Sequence, residues 1–167
     1  MAPFWEFIWG ALALGAGATL CMDVWGLVQK HILRISVLDY ALLGRWIGHL
    51  PQGRARHEAI ARAAPVKGER TLGWAAHYLI GIVFAALFLA AAGRSYLAAP
   101  ALAPALAMGL VTVAAPYFIL QPAFGLGIAA ARTPKPWLAR LKSLSTHLVF
   151  GLGLYLSAQI WAGFLAT

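Results

Sequence analysis

The stretch Gly15-Ala-Gly-Ala-Thr-Leu-Cys-Met-Asp23-Val-Trp-Gly26 sets one carboxylate inside an apolar run. From about Phe4 to Val28 that run holds no basic side chain and only Glu6 as a second acid. It meets the roughly 20-residue length that a helix needs to cross a bilayer. An ionised aspartate in hydrocarbon costs several kcal/mol, so Asp23 is expected to face protein or water and is a functional candidate by default. The plainer reading is a carboxylate near the membrane boundary that pairs with a neighbouring helix.

The rest of the composition agrees with a membrane solvent. At 167 residues the chain is read as one domain, 62% hydrophobic and 11% charged, with a mean hydropathy of +0.76. That balance excludes a water-soluble core. The net charge of +8 would suit nucleic acid, but the basic residues lie between apolar runs, where they act as topology signals and anionic-lipid contacts. Nucleic acid is therefore not an expected partner, whereas membrane lipids are. Cys21, the lone cysteine, leaves no disulfide framework or thiol metal cluster. The first run lacks the basic segment of a signal peptide and is too long for one, so it is kept as a mature helix.

Four runs can each span: about 4–29, 71–92, 102–131 and 143–166. The expected fold is all-α, a four-transmembrane-helix bundle in a single domain, 1–167. Pro116 and Pro122 remove backbone donors from the third run, which should be irregular around Gln121. Twelve of the thirteen basic residues fall in the first and third connections and only Arg94 in the second. By the positive-inside tendency both ends of the chain are expected outside, in the periplasm of a bacterial inner membrane.

The first connection is patterned as a cytoplasmic helical segment, 36–64. Ser36 and Asp39 resemble a capping box, and Leu38, Leu42, Trp46, Ile47 and Leu50 recur at helical spacing until Pro51. This predicts an amphipathic helix. Glu58 and Arg62, at i and i+4, with Pro65 beyond, predict a second short helix over Arg54 to Ala64. Trp46 and Trp137 suit the headgroup layer.

Small residues mark packing seams: Gly15, Thr19 and Asp23; Gly73, His77, Gly81 and Ala85; Ser143, His147 and Gly151. The seam of Asp23 and the two seams with histidine are expected to face one another. A short repeat runs alongside. His77-Tyr-Leu-Ile-Gly81-Ile resembles His147-Leu-Val-Phe-Gly151-Leu, and Asp23-Val-Trp-Gly26-Leu resembles Pro122-Ala-Phe-Gly125-Leu, as a parallel duplication would leave them. Counted from the nearest basic residue at 1.5 Å per residue, Asp23, His77 and His147 all lie roughly 7 to 11 Å inside the cytoplasmic boundary, with Gln121 deeper. Such groups are expected to cluster, together with Tyr78, as a ligand-binding site.

An Asp–His pair exchanges a proton near neutral pH, which suits a proton-linked carrier or a general acid and base, with His77, His147 and Asp23 as the catalytic candidates. The same three could ligate a metal, and the two histidines a haem. No HxxxH or HxxH pair occurs, however, so no metal is expected and no cofactor is assigned. No nucleophile elbow, P-loop or dinucleotide fingerprint is present. Asp39, Tyr40, Arg45 and His49, with His57, could form a polar lid, Arg45 meeting an anionic headgroup or carboxylate. An exposed amphipathic helix with a snorkelling Arg45 and ordinary surface histidines is the plainer alternative.

Several motifs together resemble a known family: Gly17-Ala-Thr-Leu-Cys-Met-Asp23-Val-Trp, Leu38-Asp-Tyr-Ala-Leu-Leu-Gly-Arg-Trp-Ile-Gly-His49, Arg56-His-Glu58, Gly68-Glu-Arg-Thr-Leu-Gly-Trp-Ala-Ala-His77-Tyr-Leu-Ile-Gly81 and Gln121-Pro-Ala-Phe-Gly-Leu-Gly127. They are similar to a bacterial family of small four-helix inner-membrane proteins known as a domain of unknown function. The resemblance implies the fold and the membrane address, and brings no activity. From the residues themselves, the leading reading is a membrane protein, single or as a homodimer or part of a larger complex. It would bind a small or amphipathic molecule at the polar cluster and move it with a proton. The rivals are a membrane enzyme acting on lipid or quinone from the inner leaflet and a non-catalytic accessory subunit.

Overall fold

In the computed structural model, which describes residues 4–165, apolar periodicity resolves into five helices, and no strand occurs among the described residues. They are α1 (Phe4–His31), α2 (Tyr40–His49), α3 (Glu69–Ala92), α4 (Leu102–Ala123) and α5 (Pro136–Leu165). All but α2 are long and apolar enough to cross a membrane. Their outer faces carry Leu20, Leu79, Val111 and Ile160, each more than half exposed. Helices apolar around most of their circumference cannot be stable against water on that side, whereas acyl chains satisfy them.

The chain divides into two compact units, one drawn from the ranges 1–35, 78–112 and 146–167 and the other from 36–77 and 113–145. Leu14, Ala18, Ala85, Leu89, Phe150 and Leu154 form the core of the first. Its helices approach through small residues, because in lipid close van der Waals packing replaces the hydrophobic drive between helices. A Cβ on Gly15 would stand 2.9 Å from the Gly81 carbonyl oxygen, nearer still to the Ile82 backbone, and one on Gly81 would strike Thr19 Oγ1. A Cβ on Gly109 of α4 would stand 3.2 Å from Gly151 Cα of α5, and one on Gly153 would stand 2.7 Å from Ala18 Cα of α1.

These contacts correct the expected arrangement of seams. In the α3 seam Gly81 meets Gly15 and Thr19 as expected, whereas Gly73 packs on α2 and His77 stacks on Tyr40. The seam of His147 and Gly151 packs on α4 instead, and α5 turns the next face, with Gly153, toward α1. A repeat is visible, but in a different register from the one read in the sequence. Thr19 Oγ1 donates to Gly15 O at 2.7 Å and Thr112 Oγ1 to Gly109 O at 2.9 Å, and each Gly–Thr pair receives the glycine of a His-x3-Gly motif. Asp23 therefore does not correspond to Pro122 in this packing.

In the second unit, Leu43, Ile60, Ala123 and Phe124 form a separate core. Asp39, not Ser36, caps α2: its Oδ1 accepts the Ala41 N–H at 3.0 Å. Ser36 instead accepts the Lys142 ammonium on its carbonyl at 2.6 Å. Gly44 and Gly73 let α2 cross the start of α3, since a Cβ on either would land on the other helix's backbone, at Glu69 and Tyr40 respectively. Arg45 fixes that crossing. Its guanidinium pairs with Glu69 through two bonds of 2.8 and 2.7 Å and reaches the carbonyls of Ile60, Ala61 and Ala63 at 3.2 to 3.4 Å.

The third span is irregular where Pro116 and Pro122 require it. Residues Pro116–Leu120 form a π turn, with the Gln121 N–H donating to Pro116 O. The helix then stops at Ala123, short of the expected residue 131. Gly125, at φ +87, makes the left-handed turn; Leu126 N–H closes on Gln121 O at 2.9 Å and Gly125 N–H on Pro122 O at 3.1 Å. The expected helix over Arg54 to Ala64 is absent. Residues 54–59 have no regular structure, and a 3-10 turn follows at Ile60–Arg62. The segment gives its donors to the end of α4, His57 N–H to Ala123 O at 2.9 Å and Ile60 N–H to Phe124 O at 3.2 Å. Orphan carbonyls at a helix end outbid one Glu58–Arg62 pair, worth about 0.2–0.5 kcal/mol on a helix surface.

Candidate functional site

Asp23 and His147 lie in the first unit, on α1 and α5. α1 places Asp23 two turns past Gly15, and the Asp23 carboxylate accepts the Tyr78 hydroxyl of α3 at 2.9 Å. On α5 the His147 ring meets Thr112 Oγ1 of α4 at 2.9 Å through Nδ1. Six residues beyond Asp23 on α1, the buried Gln29 amide reaches Thr146 Oγ1 at 3.4 Å. Three polar contacts thus tie α1 to α3, α4 to α5 and α1 to α5. Such bonds across helices in lipid fix register and contribute about 0.6 kcal/mol each on average. Tyr78 stands among the residues singled out from sequence; Thr112 and Thr146 were not assigned to the site. Their signal was a hydroxyl one residue or one turn from a glycine or histidine seam.

His77, Gln121, Tyr40, Asp39, Arg45 and His49 lie in the second unit. His77 is nearly buried and stacks on Tyr40, centroids 4.0 Å apart, with Trp74 edge-on to both rings. Asp39 serves as the α2 cap. Arg45 spends its donors on protein, and the bond to Glu69 raises its pKa above the ordinary guanidinium value. His49 pairs with His57, Nδ1 to Nε2 at 2.8 Å, with the rings stacked. Burial first, and His49 second, push the His57 pKa below the ordinary imidazole value.

Gln121 is 8% exposed and its amide nitrogen donates to Ser143 Oγ at 3.1 Å, while its carbonyl oxygen Oε1 has no hydrogen-bond partner. A buried acceptor left unmade costs about 1–3 kcal/mol. The π turn just before it and Pro122 just after it set its position on the last turn of α4. Its depth counted from Arg132 is corrected accordingly, because the α-helix ends at Ala123 and only a 3-10 turn at Ile128–Ala130 follows before Arg132. Among the described residues no group of three or more His, Cys, Asp or Glu side chains is placed to hold a metal.

The model of a family described as protein of unknown function (DUF2938) matches residues 12–161. No curated protein and no solved structure matches the chain.

Proposed function

Since the chain belongs to the DUF2938 family, whose function is unknown, we propose from its own residues that it is a multi-pass protein of a bacterial inner membrane that binds a small or amphipathic molecule. Both termini face the periplasm. Twelve of thirteen basic residues in the first and third connections support that orientation. The observation that carries the binding reading is Gln121 Oε1, an acceptor without a partner in a side chain only 8% exposed.

Such an atom selects a ligand with a hydroxyl or amine donor. The Gln121 amide is held by Ser143 Oγ, so its oxygen is fixed in direction before the ligand arrives. His77, on α3, lies in the same unit and is the side chain assigned to take up a proton as the ligand moves.

Native mass spectrometry of the full chain in lipid nanodiscs tests this. Wild type should carry a small molecule that Gln121→Leu releases, while the melting temperature of Gln121→Leu changes little, because losing the bond to Ser143, worth about 1 kcal/mol, is offset by removing an unmade acceptor. Equal occupancy in both proteins, or an empty wild type, would refute the reading. A polypeptide that co-purifies with wild type and is lost with Gln121→Leu would point to the accessory-subunit alternative instead.

A further inference from the structure

The stacked imidazoles of His49 and His57 do not enter the proposed binding reading. His49 is 3% exposed and closes α2; His57 lies on the irregular segment whose backbone caps α4. Their 2.8 Å contact needs one ring nitrogen that carries a proton and one that does not, whichever ring donates. Further along the His57 ring, Nδ1 is buried with no partner. A cationic His57 would therefore hold a charged N–H with no acceptor, beside a second imidazole.

We infer that the His49–His57 pair is an acid-sensitive latch on residues 54–60. When both rings are cationic no unprotonated nitrogen remains to accept, and two charges face each other at contact distance. His57 then leaves, and its backbone bond to Ala123 and that of Ile60 to Phe124 go with it. The charged groups around the pair support this direction. Arg54, on the same segment, adds positive charge beside His57, and Glu69 of α3, the acid on the His49 side, already has its carboxylate paired with the Arg45 guanidinium. The end of α4 offers His57 only the Ala123 carbonyl and the apolar surface of Ala123 and Phe124. That carbonyl favours a positive ring, but burial and the neighbouring His49 outweigh it.

Gly125 adds a mechanical reason for the coupling. The carbonyls of His57 and Glu58 lie directly over its Cα, so the segment is seated on the turn that ends α4. Opening the latch uncovers that turn and the carbonyls of Ala123 and Phe124, two and three residues past Gln121.

Hydrogen–deuterium exchange of the full chain in nanodiscs, corrected for the intrinsic pH dependence of exchange, reads this directly. Opening linked to one proton should cost the amides of His57 and Ile60 about tenfold in protection per pH unit once pH falls below the ordinary imidazole value of 6.5, until the closed pair itself takes up the proton. Amides of α3 near Ala85 should hold. His57→Gln, which keeps an amide but cannot titrate, should flatten the response. An unchanged protection from pH 7.5 to 5, or an equal loss in His57→Gln, overturns the latch. Nuclear magnetic resonance of the histidine rings in the wild type gives a readout independent of any variant. One ring titrating below the ordinary imidazole value supports the latch, and ordinary titration of both refutes it.

Discussion

Gly125→Ala and Gly53→Ala should separate the effect of backbone conformation from the effect of the segment that covers the end of α4. Both glycines are left-handed, at φ +87 and +75. A Cβ in that region costs about 1–2 kcal/mol. Gly53 has nothing within 4 Å of its would-be Cβ, so Gly53→Ala should cost no more than that. At Gly125 the methyl would land on the Glu58 carbonyl, and backbone cannot swing aside as a side-chain tip can. Residues 57–60 must then lift, losing two hydrogen bonds of about 1 kcal/mol each. Gly125→Ala should therefore cost about 3–4 kcal/mol, roughly 2 kcal/mol beyond Gly53→Ala, which multiplies the open population of the segment by about 30. Thermal unfolding in detergent followed by circular dichroism measures the first quantity, and hydrogen exchange at His57 and Ile60 the second. Equal losses in the two variants, or unaltered exchange at those amides, would show that the segment does not bear on the turn.

Three further expectations follow from the same geometry. Gly15→Ala should loosen the α1–α3 contact by about 1–3 kcal/mol, the range for overpacking a tight interior, whereas Gly26→Ala, with nothing within 4 Å, should be neutral or slightly stabilising; unfolding in mixed micelles compares the two. Arg45→Lys keeps the charge but loses the planar fork, so amide exchange over Ile60 to Val66 should quicken while the long helices stay protected. The depressed His57 pKa makes stability depend on pH in one direction. The folded state resists a proton that the unfolded chain accepts near the ordinary value of 6.5, so the melting temperature should hold above that pH and fall as pH drops through it. A flat melting temperature from pH 7.5 to 5 would contradict it.

The four long helices were legible because a bilayer imposes length and apolarity on any segment that crosses it. Gly15, Thr19 and Gly81 were legible as a seam for a related reason, since few other residues permit backbones to touch. The end of α4 was hidden by the same apolar code. Residues 124–131 continue the hydrophobic run, and only Gly125 and Gly127 among them signal a turn. Arg54 to Ala64 was misread because its local pairing favours a helix, while its destination, the carbonyls of Ala123 and Phe124, is more than sixty residues away in sequence. Of the candidate site, sequence gave the residue types and not their partners. Asp23 meets Tyr78, His147 meets Thr112, His77 meets Tyr40 and Gln121 meets Ser143. Partner choice depends on helix rotation, which seam spacing leaves undetermined by one face, as the α5 seam shows.

The Gly–Thr pairs of α1 and α4 bear on biogenesis. Each receives the glycine of the next long helix in the chain, Gly81 for α1 and Gly151 for α4, so each hairpin carries its own lock as soon as its second helix enters the bilayer. Two preassembled hairpins can then wait in lipid for each other, the membrane having already ordered each helix separately. The contact of Ala18 with Gly153 joins the first long helix to the last and can form only once the final one has been inserted. Damage at Gly15 or Gly109 would thus strike during insertion of a pair, and damage at Gly153 only at the last step of assembly.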